Sequence, residues 1–333
     1  MSPHWPRFAM LFRIIPNGRD FTSPESAAVI KDREESKKDR ESIILEPAVI
    51  FQYHERMIGK KITVAGDGHF HLYPCHDLAG AISNLVNNLD RLAASARGLA
   101  QEEDCLKIAF LAESKQDDCF HKILQNELSF KTLGLEVAAG PEAHCVSLSK
   151  QGKLLFSLVA GRQIVTREKL EVLGLGMEEI VPDGLPAEKA IEKVTMAGGL
   201  PVLAFSPGKW FFKRGQVALK LIEHYGNSLL IGDSALRPIG WAAPEIMRLA
   251  RARGTAIFPG SDPLPLAGEE KYSGCYGFIY QGSFDISRPL TSMKEIIANS
   301  PAEIRPAGRR RSMTNVAVNL LRLRRFKERH IGA

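Results

Sequence analysis

Cysteine is scarce in this 333-residue chain, which has five: Cys75, Cys105, Cys119, Cys145 and Cys275, with no C-x-x-C spacing among them. An odd, dispersed set excludes a disulfide framework and a zinc knuckle, and points to reduced thiols in a cytoplasm. Long apolar runs are missing too. Glycine, proline or a charge interrupts each candidate before the roughly 18 residues that a membrane span needs. The opening MSPHWPRFAMLFRIIPNGRD has a short apolar patch but no small-residue cleavage site, so a secretory signal is not expected. No G-x-G-x-x-G follows a first strand and no G-x-x-x-x-G-K-[ST] occurs, so the usual nucleotide-binding signatures of open sheets are lacking.

What is present suits a globular fold, with 44% hydrophobic and 25% charged residues. Much of the net charge of +6 sits in the last 30 residues and describes a tail more than a fold. Residues 22–46 are rich in charge and poor in aromatics, as in a solvated helix or a disordered leader. Met57 stands just before the first convincing strand. We therefore expect a poorly ordered leader over 1–56, a folded unit over 57–300 and a basic helical tail over 301–333.

Within the folded unit, strand-like runs alternate with helical patterns. Strands are expected at 62–66, 106–114, 154–161, 170–176, 200–205, 228–233 and 255–262, with helices around 78–96, 117–127, 187–197, 214–225 and 244–253. This order predicts an α/β fold, a parallel sheet with helical crossovers, and six or seven such units suit a barrel. In a barrel the chemistry gathers where the strands end at their C-terminal side.

One strand end stands out. The stretch GDGHFHLYP (66–74) places two of the chain's nine histidines one residue apart after an apolar run. Residues two apart on a strand share a face, so His69 and His71 project together and make half a metal site. The other strand ends carry Glu113 with Ser114 and Lys115, Arg162 and Gln163, Glu171, Ser206 with Lys209, Asp233, and Ser261 with Asp262. Each has an ordinary explanation, such as an ion pair for Glu113 or Glu171, or a turn for Asp262 before Pro263. Their repetition at successive strand ends argues instead for one polar rim. Imidazole and carboxylate donors together suit zinc, manganese or iron, any of which can lower the pKa of a bound water.

Three blocks in this order resemble the polymerase-and-histidinol-phosphatase (PHP) family of metal-dependent phosphoesterases. Asp67-Gly68-His69-Phe70-His71 is similar to the family's D-x-H-x-H opening. GGLPVLAFSPG (198–208) resembles its Gly-Gly-apolar-Ala-His-Pro-Gly block, and ARGTAIFPGSDPL (252–264) its late Gly-Ser-Asp-Ala-His block. The resemblance covers about 57–266 and implies a distorted, TIM-like (β/α)7 barrel holding a cluster of three metal ions. The chain departs from the pattern where Phe205 and Leu264 stand in place of histidines, where Ala112-Glu113-Ser114 replaces a Thr-Asp-His strand end, and where Gly161-Arg162-Gln163 replaces a Gly-x-Glu bridge. His69, His71 and Asp262 carry over directly, while Glu113 and Glu171 are substitutes proposed from position and chemistry. An apolar ring coordinates nothing, so one divalent ion or none is expected.

The charge that would face a substrate is basic. Lys209, with Lys213 and Arg214, lies in the loop SPGKWFFKRG (206–215), and Arg162 and Arg237 lie at other strand ends. Such a rim favours a small anionic substrate. The tail GRRRSMTNVAVNLLRLRRFKERH (308–330) is a basic helix with Val316, Leu320 and Leu323 on one side and Leu321 beside them, suited to docking on the body or touching an acidic surface. It has no aromatic-interleaved platform, so a nucleic-acid partner is not expected.

Two functions follow. In the first, a metal-dependent, phosphoesterase-like hydrolase, His69, His71 and Asp262 hold the ion with Glu113 or Glu171. A metal-activated water attacks, and Lys209, Arg162 or Arg237 neutralises developing charge, with Glu113 also available for proton transfer. In the alternative, motivated by Phe205, Leu264 and Gln163, the barrel has lost catalysis and serves as a ligand-binding or regulatory module. Carbon–nitrogen hydrolysis of the amidohydrolase kind also begins with H-x-H, but it lacks suitably placed histidines on later strands here.

Overall fold

The computed structural model describes residues 60–97, 105–114, 117–125, 133–140 and 142–331. All of them belong to one compact unit, Leu45–Ala333. The expected leader over 1–56 lies outside the described residues.

The first strand, β1 (Ile62–Phe70), is buried at all nine positions. That burial follows from its place in a seven-stranded sheet, where it runs parallel to β2 (Cys105–Leu111) and antiparallel to β11 (Tyr276–Gly282). Between β1 and β2 runs α1 (Leu78–Arg97), whose Ala81, Ile82, Leu85, Leu89, Leu92 and Ala93 recur every three or four residues and are all buried. The short α2 (Cys119–Leu124) follows β2. Next come β3 (Glu136–Ala139), β4 (Cys145–Lys150) and β5 (Lys153–Val159), and the sheet order is β12-β11-β1-β2-β5-β4-β3, with β12 at Arg305–Gly308.

A second sheet has the order β10-β9-β8-β7-β6, formed by β6 (Gly161–Val165), β7 (Glu171–Leu175), β8 (Leu200–Ala204), β9 (Leu230–Ser234) and β10 (Ile257–Gly260). Three helices, α3 (Ala187–Met196), α4 (Phe212–Tyr225) and α5 (Glu245–Ala252), bury their apolar stripes in one cluster with residues of this sheet. Another cluster joins the two sheets, with Val64, Ile108 and Phe278 of the first packed with Leu173, Val202 and Phe258 of the second. Phe258 sits against both Phe110 and Phe278, with ring centroids 5.1 and 4.9 Å apart. The remaining helices are α6 (Pro289–Asn299), whose Leu290, Met293, Ile296 and Ile297 enter this shared core, and α7 (Met313–Ile331).

The structure corrects the all-parallel expectation. The strands form two sheets, and no closed barrel is detected among the described residues. β7 runs antiparallel to both of its neighbours, β6 and β8; for β6 the reason is that only residues 166–170 separate it from β7, far fewer than a helical crossover requires. The run read as one strand at 154–161 divides at Ala160, where the chain leaves the first sheet and enters the second. Gly161 permits this passage, since a Cβ there would lie 2.5 Å from the Leu111 carbonyl oxygen. Two main-chain links join the sheets beside the site: Glu113 bridges Arg162 in parallel, and the Asp262 amide donates to the His69 carbonyl at 2.8 Å.

Gly277 illustrates how closely β11 approaches β1, because a Cβ there would sit 1.9 Å from the Gly66 carbonyl oxygen. Gly277→Ala should lower unfolding free energy by about 3 kcal/mol, the cost of overpacking a tight core. Gly152→Ala, at a left-handed turn residue (φ 69°) with open space around it, should cost about 1 kcal/mol from backbone strain alone. Urea denaturation of the two variants measures both, and equal losses would contradict the close β1–β11 packing.

Candidate metal centre

Three of the residues singled out in the sequence converge. His69 Nε2 and His71 Nε2 lie 2.9 Å apart, and Asp262 Oδ1 is 3.8 Å from each. Their potential ligand atoms all lie within 4.8 Å of one another, and all three residues are buried. His69 lies near the end of β1 and His71 one residue beyond it, while the Asp262 main chain is pinned against His69 by its amide.

The surroundings orient these donors. Ser234 Oγ donates to Asp262 Oδ2 at 2.9 Å, occupying the carboxylate oxygen that faces away from the histidines. Asp262 itself has φ 48°, in the left-handed region that few residues other than glycine adopt. Asp67, the first residue of the D-x-H-x-H stretch, is no ligand. It is fully buried and accepts bonds from the amides of His69 (3.1 Å), Ser261 (2.9 Å) and Gly274 (3.1 Å), and from the Ser261 hydroxyl.

Burial, followed by the neighbouring His69 and His76, pushes the pKa of His71 well below the ordinary imidazole range, which keeps it a neutral donor. Its ring also hydrogen-bonds the Ala112 backbone, as metal-ligating histidines commonly do through their second nitrogen. Burial likewise raises the pKa of Asp262, partly offset by His69. Two imidazole nitrogens and a carboxylate oxygen aimed at one point fit a divalent ion such as zinc, manganese or iron. Gln163 Oε1, 3.1 Å from His69 Nε2, offers a neutral oxygen beside them.

Other expected site residues are placed differently. Glu113 is not brought into the trio: one of its oxygens accepts the Cys119 and Phe120 amides at the start of α2 and the other faces Arg162 Nη1 at 3.3 Å. Arg162 is in turn held by the carbonyls of Asp117 (2.8 Å) and Glu178 (3.2 Å), so neither residue is available to a substrate. Arg237 is also turned away. Its guanidinium binds both oxygens of Asp233, at 2.8 and 2.6 Å, and the Trp241 carbonyl, while Tyr276 donates to the same carboxylate. These cations answer buried carboxylates, the arrangement that low-dielectric surroundings demand.

Glu171 and Lys209 form an ion pair at the edge of the trio. Burial alone would raise the pKa of Glu171, but the Lys209 charge and hydrogen bond, with His69, hold it below the ordinary value. Both residues line a cleft of about 690 Å³ together with Asp262, Gln163, Tyr73 and Ser114. Phe205 packs edge-on against Trp210, 5.4 Å between centroids, and Leu264 is buried with Leu236 and Leu266, so neither position retains a donor.

Tyr73, Ser234 and Lys169 escaped the sequence reading. Tyr73 stacks on His71 with centroids 4.9 Å apart; it continues the alternation of His69 and His71, a signal that was there to use. Burial and the charge of Asp262 keep its phenol protonated far above neutrality. Ser234 directly follows Asp233, and attention to the larger charge hid it.

No family model and no curated protein matches the chain. Among solved structures it is similar to PsfC from Pseudomonas syringae, with 16% identity over 79% of this chain and 96% of that one and a TM-score of 0.45. It is also similar to the lesion-specific endonuclease Q from Pyrococcus furiosus (11% identity, 73% of this chain, 58% of that one, TM-score 0.41). A third is a two-domain protein from Bacteroides vulgatus that contains a predicted PHP-like metal-dependent phosphoesterase (12% identity, 73% and 64%, TM-score 0.39). The chain spans less than two thirds of the latter two. The neighbours thus include a PHP-like protein, consistent with the motifs, but likenesses this loose carry no argument for the chemistry, which rests on the site itself.

Calorimetric titration of the full chain with Zn²⁺ or Mn²⁺ tests the centre. His69→Ala should abolish binding, and Ser234→Ala should weaken it about tenfold by releasing the Asp262 carboxylate. Arg237→Ala should leave affinity unchanged yet cost about 3 kcal/mol of stability, because Asp233 is then buried without its partner. Equal metal affinity in the wild type and His69→Ala would refute the assignment.

Proposed function

We propose that the protein is a metal-dependent hydrolase acting on a phosphoester. The observation that carries this proposal is the convergence of His69, His71 and Asp262 beside a cleft large enough for a small molecule. An ion bound by these three residues would supply Lewis-acid activation of water and of a phosphoryl oxygen. The chemistry is a hydrolysis: a water oxygen bonds to phosphorus, the ester P–O bond breaks, and the leaving oxygen takes up a proton.

The chain's own groups have distinct parts in this scheme. Lys209, positioned by Glu171, neutralises charge on the phosphoryl oxygens, and the protonated Tyr73 phenol donates a hydrogen bond to them. Ser234, Asp67 and the Ala112 backbone keep the ligands in place. Arg162 and Glu113 brace the β2–β6 junction, outside the chemistry. The accompanying fold reading is a distorted seven-stranded ring of β1, β2 and β6 to β10, supported by the main-chain links at Glu113 and Asp262. With Phe205 and Leu264 contributing no donor, one divalent ion is the expected complement.

A second reading, a ligand-binding module without turnover, is favoured by those same two apolar replacements. Steady-state assays of full-chain protein loaded with Mn²⁺ or Zn²⁺, using bis(p-nitrophenyl) phosphate and p-nitrophenyl phosphate, separate the two. The hydrolase should turn over at least one ester, stop on chelation, and lose about 100-fold in kcat in Lys209→Ala, the scale of removing one electrostatic donor. Metal-loaded protein that binds these esters without cleaving them would leave the binding module standing.

A further inference from the structure

The cleft has two chemically different parts. One is polar, with four carboxylates, Asp117, Glu171, Asp183 and Asp262, against two ammonium groups, Lys169 and Lys209. Four negative and two positive charges leave an excess that a single divalent ion balances. A cleft neutral in its metal-loaded form has little to offer a polyanion.

The other part is apolar. Leu236 and Leu264 line the cleft beside Pro265, and α7 adds Leu320 and Leu323. Leu236 and Leu264 are buried in a cluster with Leu266, and Leu323 packs against it. Leu320 and Leu323 remain half-buried, leaving part of each side chain to the cleft.

This apolar wall is held firmly. Val316 on the same helix is buried, and Asn319 Nδ2 donates to Glu269 Oε1 at 2.9 Å. Arg311, just before α7, pairs with the other oxygen of Glu269 and lies 4.0 Å over the Tyr272 ring. Leucines fixed at the edge of a polar cleft form a preorganised surface, which an apolar ligand group can cover at little ordering cost.

We propose that the cleft binds an amphipathic phosphodiester of single negative charge, its phosphoryl group at His69, His71 and Asp262 and an apolar substituent against Leu320 and Leu323. This deepens the phosphoester reading and rests on it. A short polar diester would leave the leucines wet, and a nucleic-acid strand would bring many charges to a lining with no positive excess to meet them.

The test is calorimetric binding of an alkyl methyl phosphate series, ethyl to hexyl, to the full-chain protein in Mn²⁺. Affinity should tighten about two- to threefold per methylene, somewhat less than full burial of each group would give. Leu320→Ser should flatten that increment while leaving Mn²⁺ affinity unchanged, and Leu323→Ser should flatten it further. A series whose affinity is indifferent to chain length, or no binding by any member to metal-loaded protein, overturns the proposal. The wild-type series decides this even if a variant misfolds. Because metal binding and turnover of the p-nitrophenyl esters are read separately, a flat series with both intact removes the amphipathic substrate and spares the hydrolase.

Discussion

The candidate site depends on one buried carboxylate. Asp67 sits on β1, accepts the amide and hydroxyl of Ser261 and the amide of Gly274, and thereby ties β1 to segments about 200 residues further along the chain. Burial raises its pKa against the pull of these hydrogen bonds. A buried carboxylate is tolerable only with its acceptor capacity filled. Here filling it fixes the segment that presents Asp262 to the histidines. Asp262, the residue after Ser261, has a left-handed backbone, and its amide donates a hydrogen bond to the His69 carbonyl. The H-x-H pair alone would place two donors, and Asp67 makes the third arrive.

The charged residues divide by what they face. Arg162, Arg237 and Arg311 are buried, each beside a carboxylate partner: Glu113, Asp233 and Glu269. In all three pairs the guanidinium satisfies an acid that burial would otherwise penalise, and removing either member alone would cost about 3–5 kcal/mol. Lysines are used differently. Lys169 and Lys209 stay at the cleft, where a compact charge on a flexible stem can meet a ligand. A basic rim expected from arginines at strand ends thus resolves into internal struts and a cleft lined mainly by acids.

Much of this was legible from residue pattern. The helices at 78–96, 187–197, 214–225 and 244–253 match α1, α3, α4 and α5 closely, because their apolar spacing is regular and each buries one stripe. The pairing of His69 and His71 followed from strand alternation, and Asp262 from its place at a late strand end. Strand direction was hidden, since alternation of β and α does not reveal a five-residue turn between β6 and β7. The edge strands β3 and β12 are largely exposed and carry little hydrophobic signal. The partners of Glu113, Arg162 and Arg237 were hidden for another reason: a charged residue at a strand end looks the same in sequence whether it faces a cleft or a buried counter-ion.

The C-terminal region shows what such ambiguity conceals. Its basic residues read as a helix that docks on the body or touches an acidic surface; Arg311 is buried, and its guanidinium also approaches the Asp262 carbonyl at 3.4 Å. Through Glu269, the same arginine connects α7 to the loop that follows Asp262, whose Leu264 amide donates to that carboxylate at 3.3 Å. Arg322, Arg324 and Arg325, in contrast, are exposed. The C-terminal region therefore has two populations of charge, one before the helix that locks the loop bearing Asp262 and one on the helix that faces water. Leu320 and Leu323 line the cleft, while Leu321 is 57% exposed. The segment with the least resemblance to any motif thus contributes both the anchor of the Asp262 loop and the apolar wall of the cavity.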